Sequence, residues 1–98
     1  MRIALVSLDQ KWEDKKGNQT KCSLISQEIT KHFPDVDLII YPEMTLTAFS
    51  IANTKLAELE GESESISFFK ALSAKTQVNH IFGLAIKEQD EQLLNRCI

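Results

Sequence analysis

Few residues in this 98-residue chain combine a reactive type with a telling position. Glu43 is the foremost. It follows Pro42 directly and stands two residues beyond Tyr41, where the apolar run of "DLIIYPEMTLTAFS" ends. A carboxylate carried just past a buried strand lies where open α/β sheets gather their ligands. The proline fixes its own φ and stiffens the turn that aims the glutamate. Partial withdrawal from water there would raise a carboxyl towards the working range of a general base. Position alone leaves a second reading open, a loop glutamate facing water.

Other groups offer less. Asp9 ends the first apolar run, where it either shares the crevice with Glu43 or serves as a cap or a solvated charge. His32 and His80 fall at a helix end and a strand start, and both read as surface or boundary residues. Ser7, Thr45, Thr47 and Ser50 lack the G-x-S-x-G setting of a serine nucleophile. Gly17, Gly61 and Gly83 are too dispersed to cradle a phosphate. No group of His, Cys and carboxylates has metal-ligand spacing, so neither a metal nor another cofactor is expected. Cys22 and Cys97 form no C-x-x-C pair, and such sparse cysteine fits a reducing cytoplasm.

Charge narrows the partners. Eleven Lys and Arg stand against fourteen Asp and Glu, for a net charge of −3. The densest basic group, Lys11 to Lys21, also contains Glu13 and Asp14. It reads as a solvated loop and helix start, not the clustered surface that nucleic acid requires. The opening "MRIALVSLDQ" has an apolar stretch only from Ile3 to Leu8, too short for a signal peptide. The longest other run, Ile81 to Ile86, is far below the roughly 20 residues that span a bilayer. The expectation is a soluble cytoplasmic protein with no nucleic-acid or membrane partner.

The elements that must position Glu43 follow from periodicity. Residues 2–8 form a near-continuous apolar run, as in a strand covered on both faces. Residues 9–17 read as a loop. Cys22, Ile25, Ile29 and Phe33 recur at helical spacing, with Asn18 as the expected N-cap and Pro34 as the stop. Residues 37–41 form a second buried strand, parallel to the first because a helix joins them. Residues 42–55 show no clear period, and residues 56–61 have room for a turn of helix. "SISFFKALSAKTQV" predicts a second helix capped by Ser63 or Ser65, with Ile66, Phe69, Leu72, Phe68 and Ala71 on its apolar face. Residues 80–86 form a third strand, in which Gly83 signals a bulge or a close backbone approach. A charged turn, 87–92, leads to a hairpin partner over 93–98. The chain is one domain at most, and its last residues, "LLNRCI", read as a strand in mid-course. That ending predicts the front portion of a longer domain.

In this order the pieces resemble the N-terminal part of the nitrilase superfamily, the carbon–nitrogen hydrolases. The resemblance covers essentially the whole chain: "IALVSL", a helix opening near Asn18, "DLIIYPEMTLTAFS", a helix after "LEGESES", "IFGLAIKE" and "LLNRCI". Its most specific part is the strand leading to Pro42-Glu43 and then Thr47-x-Phe49. Gly83 and Asn95 match a family glycine and asparagine. The resemblance implies an α-β-β-α sandwich and a Glu-Lys-Cys catalytic set acting on a small amide or nitrile. In it the cysteine forms a thioester, the glutamate is the general base and the lysine stabilises the oxyanion. Only the glutamate maps here, as Glu43. Cys22 lies on a helix stripe, Cys97 in a strand and Lys87 at a strand end, so none occupies the family's lysine or cysteine position. Ala48 replaces a glycine common in the family, which would strain a positive φ there. The expectation is a hydrolase portion inactive alone; the alternative is a truncated, non-catalytic protein that self-associates through an exposed sheet face.

Overall fold

The computed structural model describes residues 1–47, 57–87 and 93–98. β1 (Ile3–Leu5), β2 (Leu38–Ile40) and β3 (Asn79–Ile81) form a parallel sheet in that order. Helix α1 (Lys15–His32) connects β1 to β2. A 3-10 turn, Glu60–Glu62, and helix α2 (Glu64–Thr76) precede β3. β4 (Gly83–Lys87) and β5 (Leu93–Cys97) pair as an antiparallel hairpin. The expected α/β class, parallel βαβ start, second helix and hairpin partner are all present.

Register explains which face is buried. Ala4, Ile39 and His80 align across the sheet and form one row. Ile39 is fully buried there, and Cys22, Phe69 and Leu72 from the two helices join Tyr41, Val78 and Phe82 in the same core. The Phe69 ring stacks on Phe82 with centroids 4.0 Å apart. The alternate row faces the other way, since strand side chains alternate. There Ile3 and Leu5 remain 48% and 78% exposed.

The elements differ from expectation where polar residues intervene. Asn18 is not the cap of α1. The helix begins at Lys15, and the Asp14 carboxylate accepts from the Gly17 N–H at 2.9 Å. Gly17 therefore lies in the first helical turn, not in a loop. The buried row of α1 is Asn18, Cys22 and Ser26, spaced four apart, while Phe33 is 52% exposed. Apolar counting passes over Asn18 and Ser26 because their burial depends on hydrogen bonds. In α2, Ser63 is the cap, accepting from the Ile66 N–H at 3.1 Å. Ser65, Phe69 and Leu72 are buried, and Ala71 is exposed.

The expected third strand divides in two. Up to Ile81 the chain pairs with β2; at Phe82 it exchanges reciprocal backbone bonds with Ile98, at 3.0 and 2.8 Å. The two short strands therefore belong to different sheets. Strands β1 and β2 are also shorter than expected, although pairing continues past them through Val6 N–H to the Ile40 carbonyl and Tyr41 N–H to the Ile81 carbonyl. Among the described residues no helix is long and apolar enough to cross a membrane.

Candidate active site

Glu43 opens a turn, 43–47, just beyond the carboxyl end of β2. Glu43 is exposed, whereas Met44, Thr45, Leu46 and Thr47 are buried. The turn is thus rooted by four residues and presents the carboxylate outwards. Met44 has a left-handed backbone, φ 47°.

Polar groups from three directions hold this turn. The Gln10 amide nitrogen donates to the carbonyls of Glu43, Met44 and Thr45 at 3.3, 2.8 and 3.0 Å. The Asn18 amide donates to the carbonyls of Leu46 and Lys11, each at 2.7 Å, and its oxygen accepts from the Lys11 N–H at 2.8 Å. The Glu13 N–H donates to the Thr47 carbonyl at 2.7 Å. From the hairpin side, the Gly83 N–H donates to Thr45 Oγ1, and the Thr45 N–H donates to the Gly83 carbonyl, both at 3.1 Å. Thr45 Oγ1 in turn donates to the Pro42 carbonyl at 2.6 Å. The expected close approach at Gly83 is this contact: a Cβ there would lie 2.8 Å from the Met44 nitrogen.

A cleft of about 170 Å³ adjoins Glu43, with Ile40, Ile81, Phe82 and Cys97 among its walls. Glu43 thus stands at a concave, largely apolar surface beside the strand ends. Cys97 reaches it because β5 pairs Cys97 with Gly83, which touches the Glu43 backbone. Sequence reading placed Cys97 in a strand but not in this cleft; the hairpin register was the missing signal. Asp9 does not join Glu43 by any bond. Its exposed carboxylate lies 3.7 Å from Lys21 Nζ, which also donates to the Asp9 carbonyl.

The remaining candidates have structural partners. Cys22 is fully buried, and burial pushes its thiol up to about 12. It is no nucleophile. His32 pairs with Glu28 on the exposed face of α1 at 3.1 Å, as a surface residue. His80 is more enclosed than expected. Its Nδ1 contacts Ser73 Oγ and the Val78 carbonyl at 2.8 and 3.0 Å, and its Nε2 contacts Ser26 Oγ at 3.1 Å. Burial lowers its pKa, partly offset by the Val78 carbonyl. Ser26 also meets the Tyr41 hydroxyl, which donates to the Cys22 carbonyl at 2.9 Å. This polar chain fixes Tyr41, two residues before Glu43. Asn95 pairs with Ala85 in the hairpin. Ala48, Phe49 and Ser50, including the expected departure at Ala48, lie outside the described residues.

One carboxylate escaped sequence reading. Glu58 accepts from Ser63 Oγ, the Ser65 N–H, Ser65 Oγ and Lys15 Nζ at 2.7, 2.9, 2.5 and 2.7 Å. Burial alone would raise its pKa; Lys15, both groups of Ser65 and Ser63 outweigh it and hold the carboxyl at about 2. The Glu58 N–H also donates to the Ala85 carbonyl at 3.0 Å. Glu58 thereby ties α1, the start of α2 and β4 together. Its neighbours in sequence carry no period, so only three-dimensional proximity reveals it.

Comparison with known proteins agrees with this architecture. Residues 2–98 match the family model described as Carbon-nitrogen hydrolase. A probable nitrilase of Schizosaccharomyces pombe is 34% identical over 100 residues, covering 98% of this chain and 37% of that relative. The chain thus spans little more than a third of the curated relative it matches. A CN-hydrolase superfamily protein of Xanthomonas campestris, with an arsenic adduct in its active site, superposes with a TM-score of 0.86 at 21% identity, covering 99% of this chain and 35% of that one. Nit3 of Saccharomyces cerevisiae, a member of branch 10 of the nitrilase superfamily, gives 0.78 at 21% identity over 95% and 36% of the respective chains. An N-terminal amidase bound to an Asn-Glu peptide gives 0.84 at 21% identity over 97% and 24%. At these identities the structural likeness establishes the fold.

Proposed function

We propose, since this chain belongs to the carbon–nitrogen hydrolase family, that it forms the base-bearing part of a hydrolase acting on a small amide or nitrile. The observation that carries this reading is Glu43 itself, exposed at the cleft on a turn whose other residues are buried. By the family resemblance, the nucleophilic cysteine and the oxyanion-binding lysine are expected in the family's remaining length. Glu43 would take the thiol proton as sulfur attacks the amide carbon and the carbonyl electrons move to oxygen. The leaving amine would receive that proton as the thioester forms. Glu43 would then take a proton from water, which attacks the thioester and releases the acid and the thiol. A reducing, cytoplasmic setting belongs to the same proposal, supported by the free thiols Cys22 and Cys97.

The 98-residue chain alone is expected to show no turnover, because a cooperative catalytic set leaves little chemistry when members are missing. Ammonia release from a panel of small carboxamides, measured with mass-verified protein, tests this. Release that scales with protein and disappears in Glu43→Gln would overturn the predicted inactivity. In a chain extended to the family's full length, Glu43→Gln should abolish acylation with the fold retained; near-normal rates would sink the base assignment.

A second reading is self-association, favoured by the exposed Ile3 and Leu5 on the sheet face opposite the helices. Homo-oligomers would form by burying that face. Sedimentation should show dimers or larger species that Leu5→Lys disperses; a monomer at all concentrations would exclude this reading.

A further inference from the structure

We propose that Gln10 is a positioning residue for Glu43, acting by holding the left-handed turn at Met44. The inference rests on the reading of Glu43 as the base. Met44 follows Glu43 directly, and its φ of 47° is a region that side chains with a Cβ rarely adopt. Asn or Asp can ease that conformation with their own side chains; methionine cannot. The Met44 side chain is instead buried, 5% exposed, which accounts for an apolar residue there but not for its backbone. The conformation must be held from outside.

Gln10 supplies that restraint. The carbonyls of Glu43, Met44 and Thr45 converge on its amide nitrogen at 3.3, 2.8 and 3.0 Å. Three carbonyl oxygens around one point repel one another unless a donor stands between them. An amide NH₂ has two N–H groups for these three oxygens, so one N–H is shared, and the Glu43 carbonyl at 3.3 Å is the longest contact. The contacts also settle the amide orientation, because its oxygen would be a fourth acceptor in the same place. Asn18 and Glu13 grip later carbonyls, those of Leu46 and Thr47. Gly83 and Thr45 restrain the turn from the hairpin side. Among the described residues, Gln10 is the side chain that reaches the carbonyl of Glu43 itself. It lies just after the apolar run that contains β1, so base and holder come from the ends of neighbouring parallel strands.

Backbone ¹³C shifts of residues 43–45 in the labelled 98-residue chain test this without turnover. In the wild type, Met44 should report a left-handed φ. Gln10→Ala should lose that signature and move the Glu43 resonances. Adding Met44→Gly to Gln10→Ala should restore the turn, because glycine adopts this φ without penalty. Gln10→Glu gives an independent pH profile. At pH 7 its carboxylate is a further acceptor and should open the turn. Near pH 4, where a carboxyl begins to protonate, its O–H can donate and the left-handed signature should return. That recovery runs against the usual loss of stability in acid, so a merely structural role would not produce it. If Gln10→Ala fails to fold, the Gln10→Glu comparison decides alone. A turn that stays left-handed in Gln10→Ala, or a Gln10→Glu chain that behaves alike at both pH values, whether folded or not, overturns the proposal. Such a result leaves Glu43 as the base untouched. Conversely, an active extended enzyme carrying Glu43→Gln would remove the base and leave the shift measurements standing.

Discussion

Gly83 lies so close to the turn that carries Glu43 that a Cβ would stand 2.8 Å from the Met44 nitrogen and 3.0 Å from the Glu43 Cα. The obstacle is backbone, which cannot swing aside as a side chain can. Gly83 does not have a positive φ, so its conformation would admit alanine and space alone forbids it. Gly83→Ala should therefore displace the turn and destabilise the fold by about 1–3 kcal/mol, the usual cost of overpacking. Gly61 is the control, with nothing within 4 Å of its virtual Cβ. Gly61→Ala should change stability by no more than about 0.5 kcal/mol. Denaturant midpoints of the two variants check both values; equal midpoints would show that Gly83 has room to spare.

Asn18 donates twice and accepts once while fully buried. Removing it leaves the buried Leu46 carbonyl without this partner, at a cost on the order of 1–3 kcal/mol, and adds a smaller loss at the Lys11 carbonyl and N–H, which belong to an exposed residue that water can reach. Asn18→Asp should be nearly as harmful as Asn18→Ala, because an ionised carboxylate has no hydrogen to give to the Leu46 and Lys11 carbonyls. We expect about 2–4 kcal/mol for either variant, read from thermal or denaturant unfolding. A mild Asp variant beside a severe Ala variant would mean that the accepting bond dominates.

These two residues also mark where sequence reading succeeds and where it stops. The apolar runs around Ile3–Leu5 and Leu38–Ile40 locate the parallel strands, but the expected cover on both faces is absent at β1, where Ile3 and Leu5 stay exposed. The place of Glu43, just past β2, is legible because Pro42 and the strand end fix it. Gly83 was legible as a close approach, since glycine within a strand run needs a reason. Asn18 was visible but misread. Four residues before Cys22, it lies on the buried row of α1, yet an asparagine before an apolar stripe looks like a cap. Gln10 and Glu58 gave no local signal at all. Their partners are 33 to 35 residues away for Gln10, and for Glu58 include Lys15, 43 residues away. Polar contacts of that range have no period to read.

Glu58 makes a pH prediction of definite sign. Its folded pKa lies at about 2, below the ordinary 4.5. A carboxyl lowered on folding stabilises fully above its unfolded pKa, and that stabilisation disappears as pH falls through the folded value. The window therefore runs from about pH 4.5 down to about pH 2. The lowering corresponds to roughly 3 kcal/mol as an upper figure, with a side chain only 11% exposed. Glu58→Gln should lose about 1–3 kcal/mol at pH 7, because its amide nitrogen faces donors, and its stability should vary less across that window. Urea titrations at pH 7, 4 and 2.5 check this; parallel pH curves for the two proteins would contradict it.

The two thiols give a test of the whole arrangement. Cys97 is exposed at the cleft of Glu43, whereas Cys22 is fully buried beneath the sheet with its thiol pushed up to about 12. Alkylation proceeds through the thiolate and needs access. At pH 8 a maleimide should therefore add once and rapidly, at Cys97. Cys22 should react only when α1 leaves the sheet, more slowly by a factor set by the opening equilibrium, on the order of 10³ for a typical small domain. Denaturant should make the second addition as fast as the first. Intact mass and peptide mapping over time distinguish the sites. Equal rates in native buffer would mean that the core around Ile39 and Phe69 is not closed, and that the turn carrying Glu43 lacks the support on which its position depends.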